Sequence, residues 1–422
     1  MSSGIRATAA VLAAAVLACA AAPASAQSSA AQPSGTATQA PPDDQVDVFD
    51  LLRRLFKDPP ANPPPAEDPR QLHYTIMPGI GYNPSSGFVI GASGALSKYF
   101  GDPVVTRLST AVVGASYSSR QQASLTFRFG ASSDGNRWRF DGDNRFQWTS
   151  QDSYGLGSAT TEADRVITRF TRVRISDVAS YRIAPNVYAG AGFHYSLHAD
   201  VRPYDEGDPA WEESAYVTYS SQNGFDLSGQ TSAGLSVNLS VDTRDNPINA
   251  TRGFAAAVSY RPFFKDFLGG DASWRETYVD ARSFFSFGPD RRQRIALWAY
   301  GNLGRRGAAP YFDLPSLGVG SYGRSGRGYT EGRFRGEQLV YGEVEYRATL
   351  TRNGLLGLVA FLNTTTVSAE QTGEQLFEAF TPAGGVGLRL SLSKRSRTNM
   401  CFDYAWGRQG ANGLYIAIQE AF

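Results

Sequence analysis

The segment Asn412-Gly413-Leu414-Tyr415-Ile416-Ala417-Ile418-Gln419-Glu420-Ala421-Phe422 alternates between two faces. Leu414, Ile416, Ile418 and Phe422 share one; Tyr415, Ala417, Gln419 and Ala421 share the other. An alternating strand that runs out at a terminal aromatic reads as the closing strand of a bacterial outer-membrane β-barrel, with Phe422 as its terminal signature. In such a barrel one face of each strand meets lipid, so the usual burial rule inverts.

Upstream, the period of two recurs from Leu72 onward, broken by Gly, Pro, Asn and Asp clusters. Strand starts are expected near Leu72, Gly87, Arg107, Gln122, Arg137, Arg165, Val187, Gly229, Gly253, Ser273, Arg292, Gln338, Gly354, Ala383, Asn399 and Asn412. That predicts an all-β, transmembrane antiparallel barrel of about 16 strands, an even number as bacterial barrels require. Leu125, Phe127 and Phe129 oppose Ser124, Thr126 and Arg128; Val386, Leu388 and Leu390 oppose Gly387, Arg389 and Ser391. Arg128, Asp242 and Arg389 would be costly in a packed core and cost little in a wet lumen. Longer connections at 151–164, 201–228, 307–337 and 368–382 should face outward. Ala184-Pro185-Asn186 and Arg352-Asn353 read as short periplasmic turns.

Composition agrees. The 422 residues include 44 Gly, 21 Tyr and 25 Phe but only 3 His, and the net charge of +1 gives no field that recruits nucleic acid. Mean hydropathy is −0.29, too polar for a helical membrane protein. Residues 1–26 read as a secretory signal peptide: Arg6, an apolar run from Ala7 to Ala22, then Ala24-Ser25-Ala26 as the cleavage site. A lipoprotein signal using Cys19 is the weaker alternative. Cleavage leaves Cys401 alone, with no intrachain disulfide. Residues 27–71 form a Pro/Ala/Ser-rich periplasmic linker. Val48, Leu51, Leu52, Leu55 and Phe56 fall there at the spacing of a short amphipathic helix, which would lie on the inner leaflet, enter the barrel, bind a partner or fray. Residues 72–422 make the barrel.

Between strands 11 and 12 lies Gly326-Arg327-Gly328-Tyr329, followed by Gly332-Arg333-Phe334-Arg335-Gly336. This stretch resembles the lumen-inserted loop of the BamA/TamA superfamily, the bacterial surface antigen barrels. Asp242-Thr243-Arg244-Asp245-Asn246-Pro247, Gly342-Glu343-Val344-Glu345-Tyr346-Arg347 and Phe402-Asp403-Tyr404-Ala405 resemble the family's segments in order. The resemblance is dense from Asp242 to Phe422. It implies that the Arg-Gly tip folds back into the barrel and that its Arg pairs with acids on the inner wall. Glycine permits close approach and positive φ, and a guanidinium fork reads a carboxylate bidentately. Glu343, Glu345 and Arg347 share one strand face, so Glu345 is the leading partner of Arg327 and Asp403 a further one. The family's Asp on strand 13 is replaced here by Asn363, which brings no charge. Family insertases and secretion pores carry periplasmic POTRA domains; the linker is too short for one, so the chain resembles a POTRA-less member.

Gly318-Val319-Gly320-Ser321-Tyr322-Gly323 matches a dinucleotide fingerprint but has no helix after it. His194 and His198 share parity on strand 7 and read as luminal or rim residues, with a metal pair as the minor alternative. No Gly-x-Ser-x-Gly elbow occurs, so no enzyme, metal or cofactor is expected. Asp205, Glu206, Asp208, Glu212 and Glu213 read as a solvated loop; divalent cations bridging lipopolysaccharide phosphates are the alternative. Three functions follow: outer-membrane protein or lipid assembly, with lipid, lipopolysaccharide and unfolded outer-membrane proteins as partners; a plugged pore for solute or a secreted partner; or a structural or adhesive surface barrel.

Overall fold

The computed structural model describes residues 45–48, 50–51, 71–319, 324–394 and 397–422. The expected signal peptide, most of the linker (with Leu52, Leu55 and Phe56) and most of the Gly318–Gly323 stretch lie outside the described residues.

Among the described residues, sixteen strands close into one barrel. They are β1 (His73–Asn83), β2 (Gly87–Lys98), β3 (Ser109–Ser118), β4 (Ala123–Ser132), β5 (Trp138–Ser153), β6 (Val166–Ala184), β7 (Val187–Pro203) and β8 (Gly229–Asp242). The second half is β9 (Gly253–Phe263), β10 (Trp274–Phe287), β11 (Gln293–Arg306), β12 (Gln338–Thr349), β13 (Leu356–Ser368), β14 (Thr381–Ser393), β15 (Thr398–Trp406) and β16 (Asn412–Ile418). Each strand pairs antiparallel with its chain neighbours, and β1 closes on β16. The largest offsets from the expected starts are Arg107 against Ser109, Gly354 against Leu356 and Ala383 against Thr381. Two long connections begin later than expected, because β5 runs to Ser153 and β7 to Pro203.

Burial is inverted as the alternation requires. Leu362 is 66% and Val237 68% exposed on the outer face, while Glu345 is 0% exposed inside. The lumen, however, is not wet throughout. Phe284, Trp298, Tyr300, Tyr341 and Phe422 form an apolar cluster within it. Charges there are paired rather than hydrated: Arg389 bonds Asp403, and Asp242 bonds Arg107 and Arg244. Near Arg327, side chains from facing strands and from the described part of loop 307–337 take up the space that water was expected to occupy, whereas the Arg128 side chain stays 42% exposed beside Asp143.

The terminal segment departs from its alternation. β16 stops at Ile418, Gln419 takes φ of +79°, and Phe422 lies inside the barrel against Trp298, with ring centroids 5.2 Å apart. Phe422 therefore does not share the outer face of Leu414. Glu420 explains why: its carboxylate has no partner in lipid, whereas inside it meets Arg389 Nε at 2.7 Å and Asn399 Nδ2 at 2.7 Å. The carbonyl of Phe422 accepts from Arg347 at 3.1 Å, and Arg324 Nη2 donates to the Ile418 carbonyl at 2.7 Å.

The connection after β7 is also not a plain solvated loop. Its second half folds as helix α1 (Ala215–Gln222), capped by the Ser214 hydroxyl. Tyr216 and Tyr219 of α1 are buried against Tyr311 and Phe312, closing one end of the lumen. At the opposite, short-turn end, Asp245 accepts from Thr251 and Arg397. Burial alone would raise its pKa; these bonds outweigh it and hold the carboxyl below its usual range.

Residues 45–48 and 50–51 close onto that same end. Val46 N–H donates to the Asn353 carbonyl at 2.9 Å, and Lys394 N–H donates to Asp47 Oδ2 at 3.0 Å. Lys394 Nζ reaches the Gln45 carbonyl at 3.0 Å and Asp50 Oδ2 at 2.9 Å. Lys394→Ala removes the ammonium contacts, worth up to about 1 kcal/mol for a part-exposed pair. Thermolysin cleavage before Val48 or Leu51 is expected to speed up about fivefold while the barrel stays intact, since cleavage tracks the undocked population. An unchanged rate would mean that the backbone contacts alone hold the segment.

Candidate functional site

In the connection between β11 and β12, residues 307–319 and 324–337 are described, and Arg327 there contacts side chains of β12 and β15. Ser316 and Arg335 bridge its two arms, and Leu317 N–H donates to the Phe334 carbonyl at 2.9 Å. At the tip, Gly326 and Gly328 hold φ of +77° and +109°. A side chain at Gly328 would also meet Ala383 Cβ at 2.7 Å and the Trp406 carbonyl at 3.1 Å. Glycine is thus required twice over, for conformation and for clearance.

Between these glycines Arg327 is buried in the inner face of β12, β13 and β15. Its Nη1 meets Asp403 Oδ2 at 2.6 Å, and Nη2 contacts both Glu343 Oε1 and Glu345 Oε1. The guanidinium stacks on Phe361, its Cζ 3.6 Å from the ring centroid. Strand alternation supplies the pocket: residues 341, 343, 345 and 347 all face inward on β12, as do 361 and 363 on β13.

The main chain of the tip is equally fixed. Gly326 N–H donates to Tyr341 Oη at 3.1 Å, Gly328 N–H to Tyr415 Oη at 3.0 Å, and Tyr415 Oη in turn donates to the Tyr329 carbonyl at 2.9 Å. Tyr329 Oη donates to the Pro382 carbonyl at 2.6 Å. Asn363 does not touch the guanidinium; its Nδ2 donates to the Arg327 carbonyl at 3.0 Å. The neutral residue serves the main chain where an acid would add a fourth carboxylate.

Glu345 and Asp403 thus both lie on Arg327, and Glu343 joins them. Alternation with Glu345 is the signal that could have placed Glu343 there. Phe361, two residues before Asn363 on the same face, was legible in the same way. In the second rank, the pair of Arg347 with Glu345 at 2.5 Å lies on one strand face and was legible too, whereas Arg389 with Asp403 at 2.5 Å was not, because it depends on the register of β14 against β15. His194 bonds the hydroxyls of Ser176 and Ser236, and His198 lies between Phe170 and Phe312.

The seam is the other distinctive feature. Among the described residues β1 and β16 share one registered pair, Tyr82 with Ile416. The β12–β13 register, by contrast, runs from Gln338–Ser368 to Thr349–Gly357. β16 has 7 residues, and its continuation turns into the lumen. Pro78 offers β1 no N–H to donate.

Residues 107–420 match the Omp85 superfamily domain. The chain belongs to the Omp85 superfamily. Barrels of this superfamily are outer-membrane proteins. Among solved structures it is similar to BamA from Haemophilus ducreyi lacking POTRA domains 1–3, with a TM-score of 0.55 and 12% identity over 83% of this chain and 70% of that one. It is also similar to CdiB from Acinetobacter baumannii (TM-score 0.52, 10% identity, 83% of this chain and 65% of that one). CdiB from Escherichia coli gives a TM-score of 0.52 and 11% identity over 82% and 67% of the two chains. These likenesses concern the fold. Comparison of the sequence with curated proteins gives no match.

Removing one member of a buried ion-pair cluster costs roughly 3–5 kcal/mol, because the other charges stay buried. Arg327→Ala leaves Glu343 with no cation and takes one from Glu345 and Asp403, which keep Arg347 and Arg389, and is expected to lower the urea midpoint of the folded barrel accordingly. Arg327→Lys, which keeps the charge but not the fork, should fall between the two. Tryptophan fluorescence or gel mobility of unheated samples reads the midpoint; an unshifted Arg327→Ala would sink the assignment.

Proposed function

We propose that this Omp85 barrel assists the insertion of outer-membrane proteins or lipid, acting at the β1–β16 seam. The observation that carries this reading is the single registered pair across that seam. An edge with unpaired N–H and C=O groups is a template for another strand. In lipid such an edge is costly unless a strand or a polar headgroup covers it. A client strand pairing with β1 would gain bonds that β16 leaves unmade. The clients in this reading are unfolded outer-membrane proteins, and the surrounding partners are lipid and lipopolysaccharide. Residues 1–26 serve as the secretion signal and 27–71 as a periplasmic tether. No catalytic chemistry is assigned to the barrel.

The second reading is a plugged pore, favoured by the likeness to CdiB folds and by a loop that fills the lumen. One preparation separates the two. In a Cys401→Ser background, Tyr82→Cys and Ile416→Cys allow the seam to be locked by oxidation. The protein, reconstituted in liposomes, is expected to speed folding of an unfolded reporter barrel several-fold over empty liposomes. Locking should abolish that gain, and reduction should restore it. Acceleration that survives locking would overturn the seam mechanism. Absence of acceleration, with channel conductance that rises in Arg327→Ala, would establish the pore instead.

A further inference from the structure

The outer wall of β3–β7 changes character rung by rung. Leu125, Phe146, Val173 and Leu197 pair across β4 to β7 as one apolar row. The next row toward the end that carries the long connections is Tyr117, Ala123, Trp148, Thr171 and Ala199. Tyr117 and Trp148 are exposed, so both rings stand out from the wall. One rung further, Ser150 pairs with Arg169, and Arg169 with Arg202. These rows face outward, because Phe170, between Arg169 and Thr171, is buried against Phe312 on the lumen side. An apolar wall, then aromatic rings, then charge is the order met by a barrel that passes from hydrocarbon to headgroups.

The charged rung belongs to a groove of about 510 Å³. Arg120 and Gln121 of the β3–β4 turn line it with Trp148, Arg169, Asp200 and Arg202. Three guanidiniums thus share the groove with one carboxylate. Among the described residues, Arg120, Arg169 and Arg202 make no salt bridge and no side-chain hydrogen bond. Arg169 instead lies over the Tyr204 ring, its Cζ 4.4 Å from the centroid. Stacking fixes the guanidinium plane and leaves its N–H edge unspent. The turn that carries Arg120 is pinned to β5, where Gln122 Nε2 donates to the Ser150 carbonyl and hydroxyl, each at 3.0 Å. Asp205 and Glu206 follow in the connection after β7; both are exposed and neither lines the groove.

We propose that this groove seats a phosphate of lipopolysaccharide, the phosphorylated glycolipid of the outer leaflet, with acyl chains lying against Trp148 and the apolar row below it. The site rests on the outer-membrane setting of the function proposed above and gives its lipid partner a place on the wall. The excess of two positive charges suits a phosphate monoester, which carries about −1.5 to −2 near neutral pH. Guanidinium forks bind phosphate oxygens bidentately, and three of them converge from a turn and two strands. A zwitterionic headgroup would bring its own ammonium against the same three arginines. The competing arrangement is three solvated guanidiniums whose stems lie on the aromatic rung, with no lipid held.

The full-length barrel, folded in uncharged detergent with a chelator present, is titrated with lipid A and read by native mass spectrometry. The chelator removes divalent cations, so Asp205 and Glu206 cannot hold the lipid through them. Saturable binding of one lipid A per barrel is expected, at least tenfold tighter than that of its dephosphorylated form. The double variant Arg169→Gln with Arg202→Gln should lose at least fivefold. Arg275→Gln, an outward arginine at the same end of the barrel that bonds the Tyr260 hydroxyl at 3.3 Å, should lose nothing. If the double variant fails to refold, Arg120→Gln on the turn replaces it, with a threefold loss expected. No saturable binding, equal affinity for the two lipids, unchanged affinity in the groove variants, or an equal loss in Arg275→Gln overturns the site. The seam experiment, run in phosphatidylcholine liposomes without lipid A, is independent of the groove, so failure of the site and failure of the seam are told apart.

Discussion

The barrel's inner wall depends on Arg327. Glu343 and Glu345 are two residues apart on one strand, so their carboxylates point the same way into a space shared with Asp403. Three acids so close cannot all remain charged in a water-poor interior without a cation among them. Strand β12 has no such cation at its centre; Arg347 reaches Glu345 from one side only. The missing charge is delivered by a loop, and this sets the loop's path. The glycines on either side of Arg327, the stack on Phe361 and the Tyr341 and Tyr415 hydroxyls all follow from placing one guanidinium there.

The same logic reaches the seam. A strand that continued β16 outward would put Glu420 toward lipid or leave Arg389 with less acid than it holds. Turning inward at Gln419 satisfies Arg389, Arg347 and Arg324 at once, but it gives up hydrogen bonds that β1 would otherwise receive. Seam and Arg327 cluster are therefore coupled through shared residues: Asp403 touches both Arg327 and Arg389, and Arg389 touches Glu420. Whatever weakens the hold on Arg327 redistributes charge along a chain that ends at the barrel's closing strand.

Strand positions and faces were legible in the sequence because a period of two is a local property, and lipid on one side enforces it strongly. The Arg327 tip was legible from its flanking glycines and the resemblance they carry. What escaped was set by contacts between distant segments. The inward turn of Phe422 breaks the very alternation that identified its strand, and only the positions of Arg389 and Arg347 explain it. Helix α1 lies in an acidic loop whose charges hid Tyr216 and Tyr219, which matter once Phe312 is beside them. The docking of residues 45–48 and 50–51 depends on Lys394 and Asn353, which no local pattern connects to them.

Loop 307–337 is held at more than one depth, and this bears on how the lumen opens. Below the tip, Arg333 bonds Thr160 Oγ1 at 2.7 Å and Gln409 at 3.0 Å, while Arg335 bonds the Tyr311 and Leu314 carbonyls at 2.9 and 3.2 Å. Tyr311 and Phe312 are in turn locked under α1. Freeing Arg327 alone releases the tip from β12 but leaves the Arg333 bonds to Thr160 and Gln409, while the Arg335 bonds brace the two arms of the loop on each other. A wide channel would require α1 and the Arg333 contacts to move as well, at the cost of exposing a buried aromatic cluster. Opening the seam would move β16 and the tail behind it, which gives up the Glu420–Arg389 pair, the Arg324 contacts to residues 418–420 and the packing of Phe422 on Trp298.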